Sequence, residues 1–316
     1  MEVIPLNYPL DLIKINTKPK VMALGFFDGV HLGHQKVIKT AIQIGHDQQL
    51  PVAVMTFDKY PGIVFRQIEA AQFEYLTTLE RKAELLQELG VDIMYVINFT
   101  STVGHLAPQQ FVDDYLVALG TQVVVAGFDY TYGQKDTANM LTLPQYAQDR
   151  FEIVTIPEQK KFTEKISSST IRQALNRGDV DRANALLGYV YQTDGIVVHG
   201  EARGRTLGYP TANIKTLDTE RLPGIGIYAT EILVQDHWYP AMTSVGHNVT
   251  FGDHRPVTVE VNIFDFHQDI YGETIKLRWN HWLRGEEKFT DADALVAQLT
   301  DDEIKSRQYF NLKNKN

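Results

Sequence analysis

The chain has 316 residues, enough for two domains, and its 44% hydrophobic and 22% charged residues are the balance of a folded soluble protein. Thirty Lys and Arg against 39 Asp and Glu leave a net charge of −9, so the surface as a whole does not attract nucleic acid or an anionic membrane. There is no cysteine, which excludes disulfides, thiolate nucleophiles and zinc–thiolate clusters.

The opening MEVIPLNYPLDLIKINTKPK has no basic stretch followed by a long apolar run, and nowhere do about 18 apolar residues run together. The expectation is a cytoplasmic protein without a leader or a membrane span. Val21–Phe26 is a short apolar run and reads as a buried strand. The helical face Val37, Ile38, Ala41, Ile42 and Gly45 follows it. Val52–Phe57 is the next strand. Thr77-Thr78-Leu79-Glu80 has the form of a capping box that opens a helix closed by Gly90. Val91–Ile97 is a strand, Pro108 suits a first helical turn, and a helix through Phe111, Tyr115, Leu116 and Leu119 ends at Gly120. Val123–Ala126, Phe151–Ile156 and a helix from about Ser168 complete an alternation that predicts a parallel sheet, with ligands beyond the carboxyl ends of its strands.

From about Tyr189 the rhythm changes. Val197, Ile227–Val234, Trp238–Val245, Val257–Phe264 and Thr274–Trp279 are strand-like runs without long helices between them, the pattern of a compact antiparallel barrel. Ala292, Leu295, Val296 and Leu299 form one face of a last helix, and the domain boundary falls within Arg177–Tyr189, near Gly188.

Three segments carry chemistry. His31 and His34 flank Gly33 at a strand-to-helix junction, where imidazoles and free helix N–H groups can meet a phosphoryl group; alone, the motif reads more readily as two surface histidines. Gly204–Asn213, GRTLGYPTAN, combines close-approach glycines, Arg203 and Arg205 for an anion, and Thr211 and Asn213 as neutral oxygens for Mg²⁺. It fits a Gly-Pro turn between strands equally well. In Val257–Phe264, Val257, Val259, Val261 and Ile263 share one face while Thr258, Glu260 and Asn262 share the other. Glu260 there is either a general base in a cleft or a glutamate on a wet strand face. The remaining histidines have no ligand spacing, and Gly224–Ala229 satisfies a dinucleotide-loop pattern but runs into a strand.

Taken together, GFFDGVHLGHQ (Gly25–Gln35), TFDKYP (Thr56–Pro61), GFDYTYG (Gly127–Gly133), ISSSTIR (Ile166–Arg172), GRTLGYPTAN, VEVNIFDF, YGETIKLRW and WLRGEEKF resemble, in order, the motifs of bacterial bifunctional riboflavin kinase/FAD synthetases. The resemblance runs from about Val21 to Phe289. It implies a Rossmann-like nucleotidyltransferase domain over 1–183, followed by an antiparallel β-barrel riboflavin kinase domain with a C-terminal helix over 187–316. It implies ATP-dependent phosphorylation of riboflavin to FMN and adenylylation of FMN to FAD with release of pyrophosphate. The implied ligands are riboflavin, FMN, FAD and ATP/ADP with Mg²⁺, and neither nucleic acid nor membrane.

In the first domain the resemblance assigns Gly25, Phe26, Asp28 and Gly33 to ligand binding, with His31 and His34 at the reacting phosphates. Asp58 and Pro61 belong to the flavin-side loop, and Gly127 and Asp129 to a third loop. Ser167, Ser168, Ser169 and Arg172 would hold the triphosphate. In the second domain it assigns Gly204, Arg205 and Gly208 to the nucleotide, Thr211 and Asn213 to Mg²⁺–ATP, and Glu260 to the base. Two departures stand out: Ala138 replaces a glycine after the third loop, and Ser244–Thr250 reads SVGHNVT, with Ser244, Asn248 and Val249 in place of asparagine, arginine and proline. An adenylyltransferase with a degenerate, regulatory barrel is the alternative; retention of Thr211, Asn213 and Glu260 favours the two-step enzyme.

Overall fold

The computed structural model describes residues 1–13, 15–65, 69, 73–161, 164–200, 203–247 and 257–313. Its contacts divide it into two compact units, Met1–Ser168 and Ser169–Asn316.

The first unit runs β1 (Glu2–Leu6), β2 (Lys20–Leu24), α1 (Leu32–Gln48), β3 (Val52–Phe57), α2 (Gly62–Phe65), α3 (Leu79–Leu89), β4 (Ile93–Ile97), α4 (Ser101–Gly104) and α5 (Pro108–Phe111), which continues as a π-helical stretch over Val112–Val117. Then come β5 (Thr121–Gly127), α6 (Leu143–Ala147), β6 (Glu152–Ile156) and a small ribbon, β7 (Lys160–Lys161) with β8 (Glu164–Lys165). Six strands form one parallel sheet in the order β1-β4-β3-β2-β5-β6. The apolar runs become β2, β3 and β4, whose residues are all buried, as expected of strands covered on both faces. Met22, Leu24, Met55, Tyr95, Ile97, Tyr115 and Leu116 belong to the core they build.

Two local expectations change. β1, which the apolar-run criterion passes over, pairs with β4 at the sheet edge, the position where a strand tolerates Pro5. The expected capping box does not form. Thr78 is the N-cap of α3 and accepts from the Arg81 N–H at 3.1 Å, while the Thr77 hydroxyl accepts from the Gly29 N–H at 3.0 Å. A tertiary contact thus takes the first threonine. Gly90 closes α3 at φ 97°, Gly120 turns at φ 77°, and Pro108 opens α5 as read.

The second unit holds α7 (Ser168–Asn176, beginning one residue earlier), α8 (Val180–Leu187), β9 (Gln192–Val198), α9 (Arg203–Thr206), β10 (Ala212–Thr216), β11 (Gly226–Val234), β12 (His237–Gly246), β13 (Thr258–Ile263), β14 (Thr274–Arg284) and α10 (Ala292–Lys313). The strands close an antiparallel barrel in the order β10-β13-β12-β11-β14-β9. Fold class and C-terminal helix match the reading of the sequence. Val259 and Val261 point into the barrel, but Val257 precedes β13 and is 47% exposed.

The helices of this unit are tied to the barrel by specific bonds. The Asn184 side chain on α8 donates to the Trp279 carbonyl at 2.8 Å and accepts from the Tyr191 N–H at 2.7 Å. The Gly224 N–H donates to the Leu175 carbonyl at 2.7 Å. Arg284 grips the fully buried Asp302 of α10, Nε–Oδ1 3.0 Å and Nη2–Oδ2 2.7 Å. Because α7 and α8 make the first of these contacts, through Leu175 and Asn184, a fragment beginning at Ser169 should melt higher than one beginning at Leu187, by about 10 °C or more. Thermal unfolding followed by circular dichroism checks this; equal melting points would show that the two helices contribute nothing to the barrel.

Candidate active sites

Three loops leave the carboxyl ends of the neighbouring strands β2, β3 and β5. In the first, the backbone is left-handed at Phe27 (φ 53°), Gly29 (φ 84°) and Val30 (φ 36°). The Phe27 ring folds back so closely that a Cβ at Gly25 would lie 2.7 Å from it, which accounts for glycine there. Asp28 is buried; its Oδ1 accepts the N–H groups of Leu76 at 2.9 Å and Thr77 at 3.3 Å, and its carbonyl accepts from the Ser168 hydroxyl at 2.8 Å. Asp28 therefore shapes the loop.

That loop delivers His31 as the N-cap of α1, its Nδ1 accepting from the His34 N–H at 3.2 Å. An accepting Nδ1 places the proton of the neutral ring on Nε2. The two imidazoles stack, centroids 3.5 Å apart and 16° from parallel, and Phe27 meets His34 edge-on at 5.3 Å. Burial pushes the His31 pKa down to about 4, against the opposing pull of its backbone hydrogen bond and of Asp129. Burial, then His31 and Lys82, hold His34 well below the usual histidine range. Both rings are neutral at neutral pH. His34 Nδ1 is buried and has no hydrogen-bond partner among the described residues.

In the second loop, Asp58 Oδ1 accepts from the Phe99 N–H at 2.9 Å and Oδ2 pairs with Lys59 at 2.7 Å; the Pro61 carbonyl starts α2 by accepting from Val64. Phe26, Tyr60, Phe73 and Tyr75 form an aromatic cluster in which Tyr60 and Phe73 stack at 4.1 Å. In the third, Gly127 closes a turn with Tyr130, and Asp129 pairs with Lys165 at 2.8 Å. Ala138, the departure from the expected glycine, is fully buried at the loop's base, where its carbonyl accepts from the Tyr132 N–H at 3.0 Å. Gly33 and Ser167 adjoin these loops in the same unit; Ser169 and Arg172 follow on α7, in the second unit.

In the barrel, β13 lies between β10 and β12, with Glu260 opposite Asn213 on one side and Ser244 on the other. The Thr211 hydroxyl donates to Glu260 Oε2 at 3.2 Å. Gly204–Asn213 is thus a loop leading into a strand: Gly208 turns at φ 82°, and a Cβ at Gly200 would overlap the Asn213 carboxamide. Asn262, two residues on from Glu260, donates to the Pro210 carbonyl at 2.7 Å and fastens the loop over this face. Arg205 Nη2 reaches the Tyr271 hydroxyl at 3.3 Å, and the His199 ring stacks on Tyr271 at 3.8 Å. Arg205, Pro210, Thr211, Val261, Ile263 and Tyr271 line a cleft that meets the β13 face opposite Glu260, with Thr211 bonded to Glu260 at its edge. Asn248, Val249 and Thr250 lie outside the described residues.

Family models match both halves: FAD synthetase over residues 13–170 and riboflavin kinase over residues 187–310. A bifunctional riboflavin kinase/FMN adenylyltransferase of Listeria monocytogenes is 48% identical over 98% of each chain, and that of Bacillus subtilis is 41% identical over the same shares. The chain belongs to the bifunctional riboflavin kinase/FMN adenylyltransferase family. A crystal structure from Streptococcus pneumoniae, described as a macrolide-efflux protein, superposes with a TM-score of 0.89 at 39% identity, over 97% of this chain and 99% of that one. No helix among the described residues is long and apolar enough to cross a membrane.

Lys82 was not read from the sequence, and Asn262, His199 and Tyr271 were given no site role there. Lys82 had a usable signal: it occupies a core position of α3, in the buried set with Leu85 and Leu86 at i+3 and i+4.

The cap and the chemistry of His31 are separable. His31→Ala should cost about 1 kcal/mol through the lost cap, and His31→Asn should recover most of it, because an asparagine oxygen also accepts from the third helical N–H. Urea unfolding measures both; equal losses would show that the ring stack, not the cap, stabilises the loop.

Proposed function

We propose that the barrel transfers the γ-phosphate of ATP to a ribityl hydroxyl of riboflavin, and that the parallel-sheet unit joins the FMN so formed to the AMP part of a second ATP, giving FAD. The observation that carries this is the position of Glu260. It stands in register between Asn213 and Ser244 and is bonded to Thr211, the residue that links it to the cleft walled by the glycine loop. Glu260 takes the hydroxyl proton as the oxygen attacks the γ-phosphorus and ADP leaves. Arg205 and the glycine loop face the nucleotide phosphates.

Thr211 Oγ1 and the Asn213 carboxamide oxygen, next to a carboxylate, are the hard neutral donors that suit Mg²⁺ already carried by ATP phosphates. Among the described residues no cluster of three or more His, Cys, Asp or Glu could hold a metal ion. Bound at Thr211 and Asn213, Mg²⁺ would neutralise developing phosphate charge.

In the first unit, an oxygen of the FMN phosphate attacks the α-phosphorus of ATP and pyrophosphate leaves, with no enzyme nucleophile. His31, His34 and the N–H groups opening α1 meet the phosphates, and Ser167 and Ser168 serve the triphosphate. The aromatic cluster of Phe26, Tyr60, Phe73 and Tyr75 offers flat faces for the flavin ring beside Asp58 and Pro61. We place both reactions in the cytoplasm, where ATP is supplied.

Two substitutions test the division of labour. Glu260→Gln should lower riboflavin phosphorylation by about a hundredfold or more with little change in KM for ATP, since the amide keeps the shape and loses the basicity. Unchanged turnover would make Glu260 a structural residue. His34→Ala should abolish FAD formation from added FMN while phosphorylation stays nearly intact; parallel loss of both activities in a folded protein would refute separate sites.

A further inference from the structure

Lys82 is 2% exposed, yet carries an ammonium into the core of the first unit. Its Nζ donates to the Phe26 carbonyl at 2.8 Å and to the Thr56 hydroxyl at 3.3 Å, and lies 4.7 Å from the centre of the Phe26 ring. The Thr56 hydroxyl itself donates to the same Phe26 carbonyl at 2.9 Å. Phe26 opens the loop that ends in His31 and His34, whereas Thr56 is the penultimate residue of β3, from which the Asp58–Pro61 loop departs. One cation therefore joins the roots of the phosphate-side and flavin-side loops. The charged and titratable groups around it are Asp28, from the first loop, and His34, from α1; β3 presents only the neutral Thr56.

A buried lysine with no carboxylate in contact is poor for stability, because desolvation of the ammonium is met only by neutral acceptors. Methionine would fill the same tunnel without that cost. The lysine is thus placed against the interest of folding, at the point where the two substrate loops meet.

We propose that Lys82 is a positioning residue for adenylyl transfer, fixing the His31–His34 loop against the flavin-side loop so that the two substrates react in register. The inference rests on the adenylyl-transfer reading of this unit. Positioning shows in turnover, since a displaced pair of substrates still binds but seldom reaches the reacting geometry. Burial lowers the Lys82 pKa to about 8, against the opposing pull of Asp28. The ammonium is therefore present below about pH 8 and lost as pH rises through that value. An arginine stays charged throughout.

The test is carried out on the full chain, with thermal unfolding as the control for folding of the first unit and riboflavin phosphorylation as the control for an intact barrel. Lys82→Met should keep its melting temperature and its kinase rate, lower kcat for FAD formation by about thirtyfold or more, and change KM for FMN and ATP by less than about fivefold. The parent should show an alkaline limb near pH 8 in FAD formation, and Lys82→Arg should retain activity with that limb moved at least one pH unit higher. A folded Lys82→Met that forms FAD within about threefold of the parent rate would overturn the proposal. If Lys82→Met unfolds the first unit, Lys82→Arg decides: an unmoved alkaline limb overturns it and a raised limb supports it. A parent that phosphorylates riboflavin but forms no FAD would instead overturn the adenylyl-transfer reading, and this inference with it.

Discussion

A phenylalanine and a valine held in left-handed backbone conformations govern the first unit. Such residues cost on the order of 1–3 kcal/mol each and persist only where their surroundings over-determine them. Here the surroundings are plain: Phe27 and Val30 are buried, the Asp28 carboxylate ties the turn to the start of α3, and Gly29 is bonded to Thr77. The turn between β2 and α1 can then reverse within a few residues and bring His31 onto the first turn of the helix. A relaxed loop would begin α1 elsewhere and separate the two histidines, which stack with His31 in the cap position.

A chain with a net charge of −9 that handles polyphosphates must manage its own carboxylates near the sites. In the first unit it does so by giving them local partners. Asp28 accepts two backbone N–H groups, Asp58 accepts another and pairs with Lys59, and Asp129 pairs with Lys165. The three aspartates of the ligand loops thus build loop shape while their charge is answered on the spot. In the barrel the same end is reached with neutral groups, Thr211 and Asn213, beside a single glutamate.

Much of this was legible in the sequence because it rests on local rules. Buried parallel strands appear as apolar runs, helix ends appear as Gly90, Gly120 and Pro108, and the barrel appears as strands without long helices between them. The misses share one physical cause: tertiary contacts decided them. β1 is held by pairing with β4 and has a proline that obscures its pattern. Thr77 left the helix cap for Gly29, a residue 48 positions away. β10 hides behind the glycine loop, although its pairing puts Asn213 opposite Glu260. Lys82 breaks the rule that helix faces toward the core are apolar, and such a break marks a place where function competes with packing.

The neutral state of the histidine pair follows from the same competition. A protonated imidazole in this pocket would be poorly solvated and would face a second ring and the Lys82 ammonium, so both rings stay uncharged. Neutral rings still present N–H donors, beside the buried cation Lys82, whose acceptors are backbone or hydroxyl oxygens. Polyphosphate brings the opposite charge, which lowers the cost of protonating either ring. An anion bound there, as proposed, would meet rings whose positive charge is not already standing in the pocket.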